Sequence, residues 1–204
     1  MLTLYSDQSS TNSYKVRLLA AHLGTPLRLV DVDILRGESR TPEFMKRNPN
    51  GEVPVLELTD GRLLAESNAI LLYLADGTPF LLSDPFDRAR VLQWLFFEQS
   101  SHEQTISSAR FWLSQVKGGR ELKRDLIDDW MERGYRALGV MDRHLREETF
   151  FIDGSLTVAD IALYAATHVA GEGDFDLAPF LAVRAWLERV AALPSHVDMA
   201  WRPA

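Results

Sequence analysis

The segment Gly51-Glu52-Val53-Pro54-Val55-Leu56-Glu57-Leu58, followed eight residues later by Glu66-Ser67-Asn68-Ala69-Ile70, carries the chemistry that this sequence offers most directly. Proline lacks the N–H that a ladder needs and should end an apolar strand, yet Val55 to Leu58 continues as one. Pro54 is therefore expected to begin that strand, as a cis proline at a turn. Val53 then has an extended backbone whose polar groups can pair with a bound peptide instead of a neighbouring strand. The implied ligand is peptide-sized. The chain has no cysteine, which removes disulfides, thiolate zinc sites and intrinsic thiol redox chemistry. Any sulfur chemistry must use a thiol that the ligand brings.

These residues must be positioned by the elements around them. Leu2-Thr3-Leu4-Tyr5 reads as a short strand, and Ser6 to Ser13 as a loop rich in cap residues. Val16, Leu18, Leu19 and Leu23 supply an amphipathic helix that begins near Ser13 and stops at Gly24. Leu27 to Val32 reads as a second strand, and Thr41-Pro42-Glu43 as a capped helix start with proline in the first turn. After the Pro54 strand, Asp60-Gly61 turns the chain into Arg62-Leu63-Leu64 as a hairpin. Ser67 to Asp76 forms a further helix with Ile70, Leu71 and Leu74 on one face. The order is βαβ followed by ββα, a small α/β domain.

From Asp84-Pro85 onward the apolar residues recur only at helical spacing, as in Val91, Trp94 and Leu95, then Leu126 and Trp130, then Leu138 and Met141. The second half is expected to be all helix. The expected boundaries are residues 1–76 for the α/β domain, 77–84 for a Gly-, Pro- and Ser-containing linker, and 85–204 for the helical domain. Leu156-Thr157-Val158-Ala159-Asp160-Ile161 reads as a capping box with a hydrophobic staple. With 204 residues, 46% apolar, 25% charged and a net charge of −7, the composition is that of an ordinary soluble globular chain. It disfavours a nucleic-acid surface, which rests on clustered Lys and Arg. No apolar run approaches the roughly 18 residues of a membrane span and no targeting pattern opens the chain, so a cytoplasmic location is expected.

The proline loop, the Glu66-Ser67 pair entering a helix, the helical second half and its capping box stand in one register, and together they resemble the cytosolic glutathione transferases. Within that family, Ser9-Ser10-Thr11-Asn12-Ser13-Tyr14-Lys15-Val16-Arg17 is similar to the serine-type bacterial members, including the zeta and nu groups. The resemblance implies an N-terminal thioredoxin-like domain with a mixed four-stranded sheet and a C-terminal all-helical bundle. It also implies glutathione as cosubstrate without a metal, a small electrophile or peroxide as second substrate, and a homodimer with no nucleic-acid or membrane partner. The dimer contact would lie near Arg62, Asn68 and the helix from Phe86 to about Gln115.

Such an enzyme must hold sulfur as the thiolate, because a free thiol with a pKa near ~8.5 is mostly protonated at neutral pH. The first helix presents unpaired amides and a positive dipole end to its preceding loop, where an anion is stabilised. By resemblance Ser10 is the first choice for the hydroxyl donor to sulfur and Asn12 the second, with Thr11 beside them. Each of the three equally suits a plain helix cap. Glu66 would pair with the ammonium of the γ-glutamyl end, and Ser67, at a helix N-terminus, would take its carboxylate. Val53, ahead of Pro54, would exchange backbone bonds with the cysteinyl unit. Arg40 or Lys46 would meet the glycyl carboxylate, with Arg40 favoured by its place before Thr41-Pro42. Glu52 stands where relatives often carry Lys or Gln and would repel that carboxylate. For the second substrate, Phe96, Phe97, Phe111 and Trp112 offer an apolar wall with Gln99, His102 and Glu103 as polar groups; Phe111 and His102 lead. An aromatic stripe at this spacing also suits a core.

Overall fold

The computed structural model describes residues 1–152 and 154–203. The chain forms two compact units, Met1–Asp76 together with Pro194–Ala204, and Gly77–Leu193.

In the first unit, β1 (Leu2–Ser6) is followed by α1 (Thr11–Leu23), β2 (Leu27–Asp31), a 3-10 turn (Glu38–Arg40), α2 (Pro42–Met45), β3 (Val55–Glu57), β4 (Leu63–Ala65) and α3 (Ser67–Ala75). The strands form one mixed sheet in the order β2-β1-β3-β4, parallel between β1 and β2 and antiparallel elsewhere. The thioredoxin-like expectation is met. Because side chains alternate across a strand, Leu4 and Leu56 face one way with Leu27, meeting Val16 and Ala20 of α1 and Ile70 of α3. Tyr5 and Val55 face the other way and pack with Val32 and Phe44 of α2. Helices thus cover both faces of the sheet.

α1 starts at Thr11, two residues earlier than the apolar spacing suggests, because the Ser10 hydroxyl accepts from the Ser13 amide at 3.2 Å and caps it. It ends on Gly24, which takes a left-handed φ of 63° and returns its N–H to Ala21. The Val53-Pro54 bond is cis, as expected. The chain end returns to this unit: Tyr14 Oη donates to the Val197 carbonyl at 2.6 Å and Arg202 pairs with Asp31 at 2.9 Å.

The second unit is helical, with α4 (Pro85–Phe97), α5 (Ser108–Arg110), α6 (Gly119–Leu122), α7 (Arg124–Leu145), α8 (Val158–Thr167) and α9 (Leu181–Ala191). The run from Pro85 to Gln115 is one continuous helical stretch, but Glu98–Ser107 and Phe111–Gln115 wind in the wider π geometry. Hydroxyls compete for its carbonyls: Thr105 Oγ1 donates to Ser101 at 2.9 Å, and Ser114 Oγ to Arg110 at 2.7 Å. α8 is buried along its whole length and carries the capping box. Asp160 accepts the Thr157 amide at 3.0 Å, the Phe151 amide at 3.1 Å and the Trp186 indole at 3.0 Å. Its burial leaves no water to satisfy those donors, so one carboxylate ties α8, α9 and the preceding turn together.

Candidate functional site

The strand register assembles the site. Val30, Tyr5, Val55 and Ala65 lie in one row across all four strands. One step beyond that row the chain leaves β1 through Ser6 to Ser10, enters β3 through Val53-Pro54, and leaves β4 through Glu66-Ser67. Three segments far apart in sequence therefore meet at one end of the sheet. Two of them lead directly into helix N-termini, those of α1 and α3, whose first amides have no partner within the helix.

The loop before α1 is held from within. Asp7 accepts the Ser9 amide at 2.8 Å and its hydroxyl at 2.6 Å on one carboxylate oxygen, and the Ile34 amide at 3.3 Å on the other. Arg17, with no exposed surface, reaches back from α1 to Ser6 Oγ at 2.9 Å and to the Gln8 carbonyl at 2.9 Å. Burial lowers its guanidinium pKa to about 10, with the Tyr14 and Asp7 charges opposing that shift and Arg202 adding to it. It stays charged at neutral pH.

Ser10 is half-buried at the end of this loop. Its oxygen accepts the cap bond, while among the described residues no acceptor takes its proton. Capping and donation use different parts of one hydroxyl, so the cap role leaves the donor free for an anion. Thr11 is buried in the first turn of α1, and Asn12, half-buried, meets Ser67 of α3 with Oδ1 at 3.3 Å from Ser67 Oγ. Lys15, fully buried, donates to the same Ser67 hydroxyl at 3.3 Å.

Glu66 precedes α3 with φ 68° and ψ 112°, a left-handed conformation that costs a non-glycine residue roughly 1–3 kcal/mol. That turn swings the chain from β4 into α3 and leaves the exposed carboxylate without a described donor. Val53, half-buried, likewise has neither backbone polar group bonded to a described residue. Arg40 is exposed and donates to the Asn50 carbonyl at 2.5 Å, bracing a turn in which Gly51 has φ 63°. A Cβ on Gly51 would stand 2.8 Å from Arg40 Nη1. Lys46 and Glu52 are both exposed, and the Glu52 carbonyl accepts from Asn48 at 2.9 Å.

The residues named for a second substrate lie in the helical unit and are not alike. Phe111 is half-buried, edge-on to Trp112 at 5.5 Å between ring centres. His102 has no exposed surface; its Nε2 lies 2.8 Å from Thr167 Oγ1, whose own proton goes to the Leu163 carbonyl. Nε2 must therefore be the donor, and through it the ring ties the π-helical stretch to α8. It offers no surface to a substrate, contrary to expectation, because Thr167 arrives from 65 residues away. Lys15, Arg17 and Asp7 were not expected in the site. Among the described residues no cluster of His, Asp and Glu could hold a metal ion, and no helix is long and apolar enough to cross a membrane.

Comparison with known proteins gives this geometry a family. Residues 1–76 match the glutathione S-transferase N-terminal domain and residues 92–194 the glutathione S-transferase C-terminal domain. The crystal structure of a possible glutathione S-transferase from Rhodopseudomonas palustris is 57% identical, with a TM-score of 0.97 over 100% of this chain and 91% of that one. Ure2p in complex with glutathione is 27% identical, with a TM-score of 0.85 over 95% of each chain. Among curated sequences, the transcriptional regulator URE2 of Saccharomyces cerevisiae is 32% identical over 176 residues, covering 80% of this chain and 48% of its own length. The chain spans about half the length of the curated URE2 relatives it matches. The chain belongs to the glutathione S-transferase family.

Proposed function

We propose that this chain binds glutathione and holds its sulfur as the thiolate, for conjugation to an electrophile or for reduction of a peroxide or disulfide. The observation that carries the reading is the convergence, at one sheet end, of two helix N-termini with the unbonded backbone of Val53. A tripeptide with an anion at each end and a nucleophilic sulfur between them suits that arrangement. Ser10 and Asn12 donate to sulfur, with the amides at the start of α1 around Thr11 behind them. Glu66 takes the γ-glutamyl ammonium and Ser67 its carboxylate; Val53, fixed by Pro54, pairs with the cysteinyl backbone, and Arg40 faces the glycyl end. In conjugation the sulfur lone pair forms the bond to the electrophilic carbon, and the electrons displaced leave with the departing group or are protonated by water. Phe111 is the apolar residue assigned to the second substrate.

Several features support the finer assignment. The hydroxyl of Ser10, one spacer and Asn12 at the start of α1 support a serine-type, zeta- or nu-like member, and the family likeness supports action in the cytoplasm as a homodimer. An isomerase or dehalogenase, in which glutathione adds and leaves again, uses the same thiolate. A non-catalytic binding role is supported by the likeness to a transcriptional regulator.

Retention on a glutathione resin with elution by free glutathione tests the binding reading; passage through the resin overturns it. Turnover of electrophiles, peroxides, mixed disulfides or maleyl-type diacids then separates the reactions, and binding without any turnover leaves the regulatory role. Sedimentation at a mass of 23.1 kDa, that of one chain, would refute the homodimer.

A further inference from the structure

Lys15, Ser67 and Asn12 form a directed chain of hydrogen bonds between two helices. Lys15 Nζ donates to Ser67 Oγ at 3.3 Å, and Ser67 Oγ donates to Asn12 Oδ1 at 3.3 Å. An ammonium can only donate, so Ser67 has nothing to give its proton to on the Lys15 side and turns it toward the Asn12 carbonyl. Lys15 is wholly buried and Ser67 nearly so. Placing a cation there is costly, since burial strips its water, and it is tolerated where it is paired or holds a site for an anion. The consequence falls on Asn12. With Oδ1 held toward α3, the two N–H bonds of its planar amide leave on the other edge, away from Ser67.

We propose that Ser67 is a positioning residue for Asn12: the relay from Lys15 through Ser67 fixes the Asn12 amide as a donor, so that the group receiving one end of the ligand also orients the group facing its sulfur. This rests on the glutathione reading and adds a coupling to it. The Asn12 amide has two planar orientations, and the second turns its carbonyl oxygen to sulfur, where it repels a thiolate. The relay removes that second orientation. Lys15 acts twice, polarising the Ser67 hydroxyl and adding positive charge beneath the carboxylate position at the start of α3.

The test is a double-variant cycle read on sulfur and not on affinity. The pH titration of the bound thiolate, followed by its ultraviolet absorbance, is measured in wild type, Ser67→Ala, Asn12→Ala and the double variant at saturating glutathione. The expected result is an upward shift of the thiol pKa by about one unit in each single variant and no further shift in the double variant. Ser67→Thr, which keeps the hydroxyl, should restore the wild-type titration. Lys15→Met should shift it in the same direction, and Lys15→Arg should not. Thermal melting of each variant establishes that the fold is intact. A Ser67→Ala protein that binds glutathione more weakly but titrates like wild type overturns the relay, as do shifts that add in the double variant. Should wild type itself fail to bind glutathione, the function assigned above falls, and the ligand-free protein still decides the relay. The side-chain amide resonances of Asn12 should then move in Ser67→Ala; unmoved resonances overturn the proposal.

Discussion

Arg17 Nη2 donates to the carbonyl of Met199 at 3.1 Å and to that of Gln8 at 2.9 Å, so one buried guanidinium joins the loop before α1 to the end of the chain. Gln8 closes the arrangement from the loop side, its Nε2 donating to the Met199 carbonyl. The residues that lead into Ser10 are thus held by a segment almost two hundred positions away. Stability of the tail and order of the loop are one property.

Arg17→Met keeps the apolar stem but withdraws the guanidinium donors from Ser6, Asp7, Gln8 and Met199. Losing hydrogen bonds from a buried charged group to several acceptors at once should cost about 3 kcal/mol or more, seen as a lowered thermal midpoint. Amide hydrogen exchange should accelerate together in residues 6–10 and 196–201. Acceleration in only one of these segments would show that Arg17 does not link them.

Ser10→Ala should reduce catalytic efficiency by roughly ten- to a thousandfold, the range for removing one preorganised donor to an anion, with glutathione affinity within a few fold of wild type. It should also cost about 1 kcal/mol of stability, because the Ser13 amide loses its cap. The two effects are separable in Ser10→Thr, which keeps the hydroxyl and should recover both. Asn12→Ala in the Ser10→Ala background measures how far Asn12 shares the donor role. Coincident thiolate titrations in wild type, both single variants and the double variant would leave the backbone amides of α1 as the remaining donors.

Much of this was legible in the sequence because the signals are local. Pro54 ahead of an apolar run, Gly24 after a helical period and Thr157 three residues before Asp160 each act through their immediate neighbours. The buried charges were not legible. Lys15 and Arg17 flank Val16 as charged residues on a solvated helix face do, and their burial depends on Ser67 and on the returning chain end. The π winding of Glu98–Ser107 and Phe111–Gln115 escaped for a similar reason, since Thr105 and Ser114 are ordinary hydroxyls until they take carbonyls from the ladder. His102, read beside Gln99 and Glu103 as a polar group for a second substrate, is interior because of Thr167, which the local sequence does not announce.

Asp160 gives the helical unit a pH dependence of definite sign. Burial pushes its carboxyl up to about 6, against the opposing bonds from Thr157, Phe151 and Trp186. An unfolded aspartate titrates near ~3.9, so the folded protein holds the proton more tightly. This contribution is fully present below about pH 4 and is lost as pH rises through about 6, on the order of 3 kcal/mol in all. Asp160→Asn has no proton to lose and should be less stable at every pH for want of an acceptor. The gap between the two proteins should therefore narrow as pH is raised from about 4 to about 7 in thermal melts. A constant gap would mean that the folded carboxyl titrates like an unfolded one.

Glu66 separates stability from binding at a single position. Its left-handed backbone, φ 68°, is one that glycine adopts at no steric cost, and its side chain makes no described bond that folding would miss. Glu66→Gly should relieve roughly 1 kcal/mol of strain, offset in part by the greater freedom of glycine in the unfolded chain, for a net change between zero and a modest gain. Glu66→Ala keeps the strain and removes the same carboxylate. Both should weaken glutathione binding by the same factor, about tenfold or more for a lost charge-assisted pair, while their thermal midpoints differ with glycine the higher. Calorimetric titration and melting of the two variants side by side would decide it. If Glu66→Gly melts below Glu66→Ala, the left-handed turn carries no strain to relieve; if both bind glutathione as wild type does, the ammonium is held elsewhere and the conformation of Glu66 serves only the turn into α3.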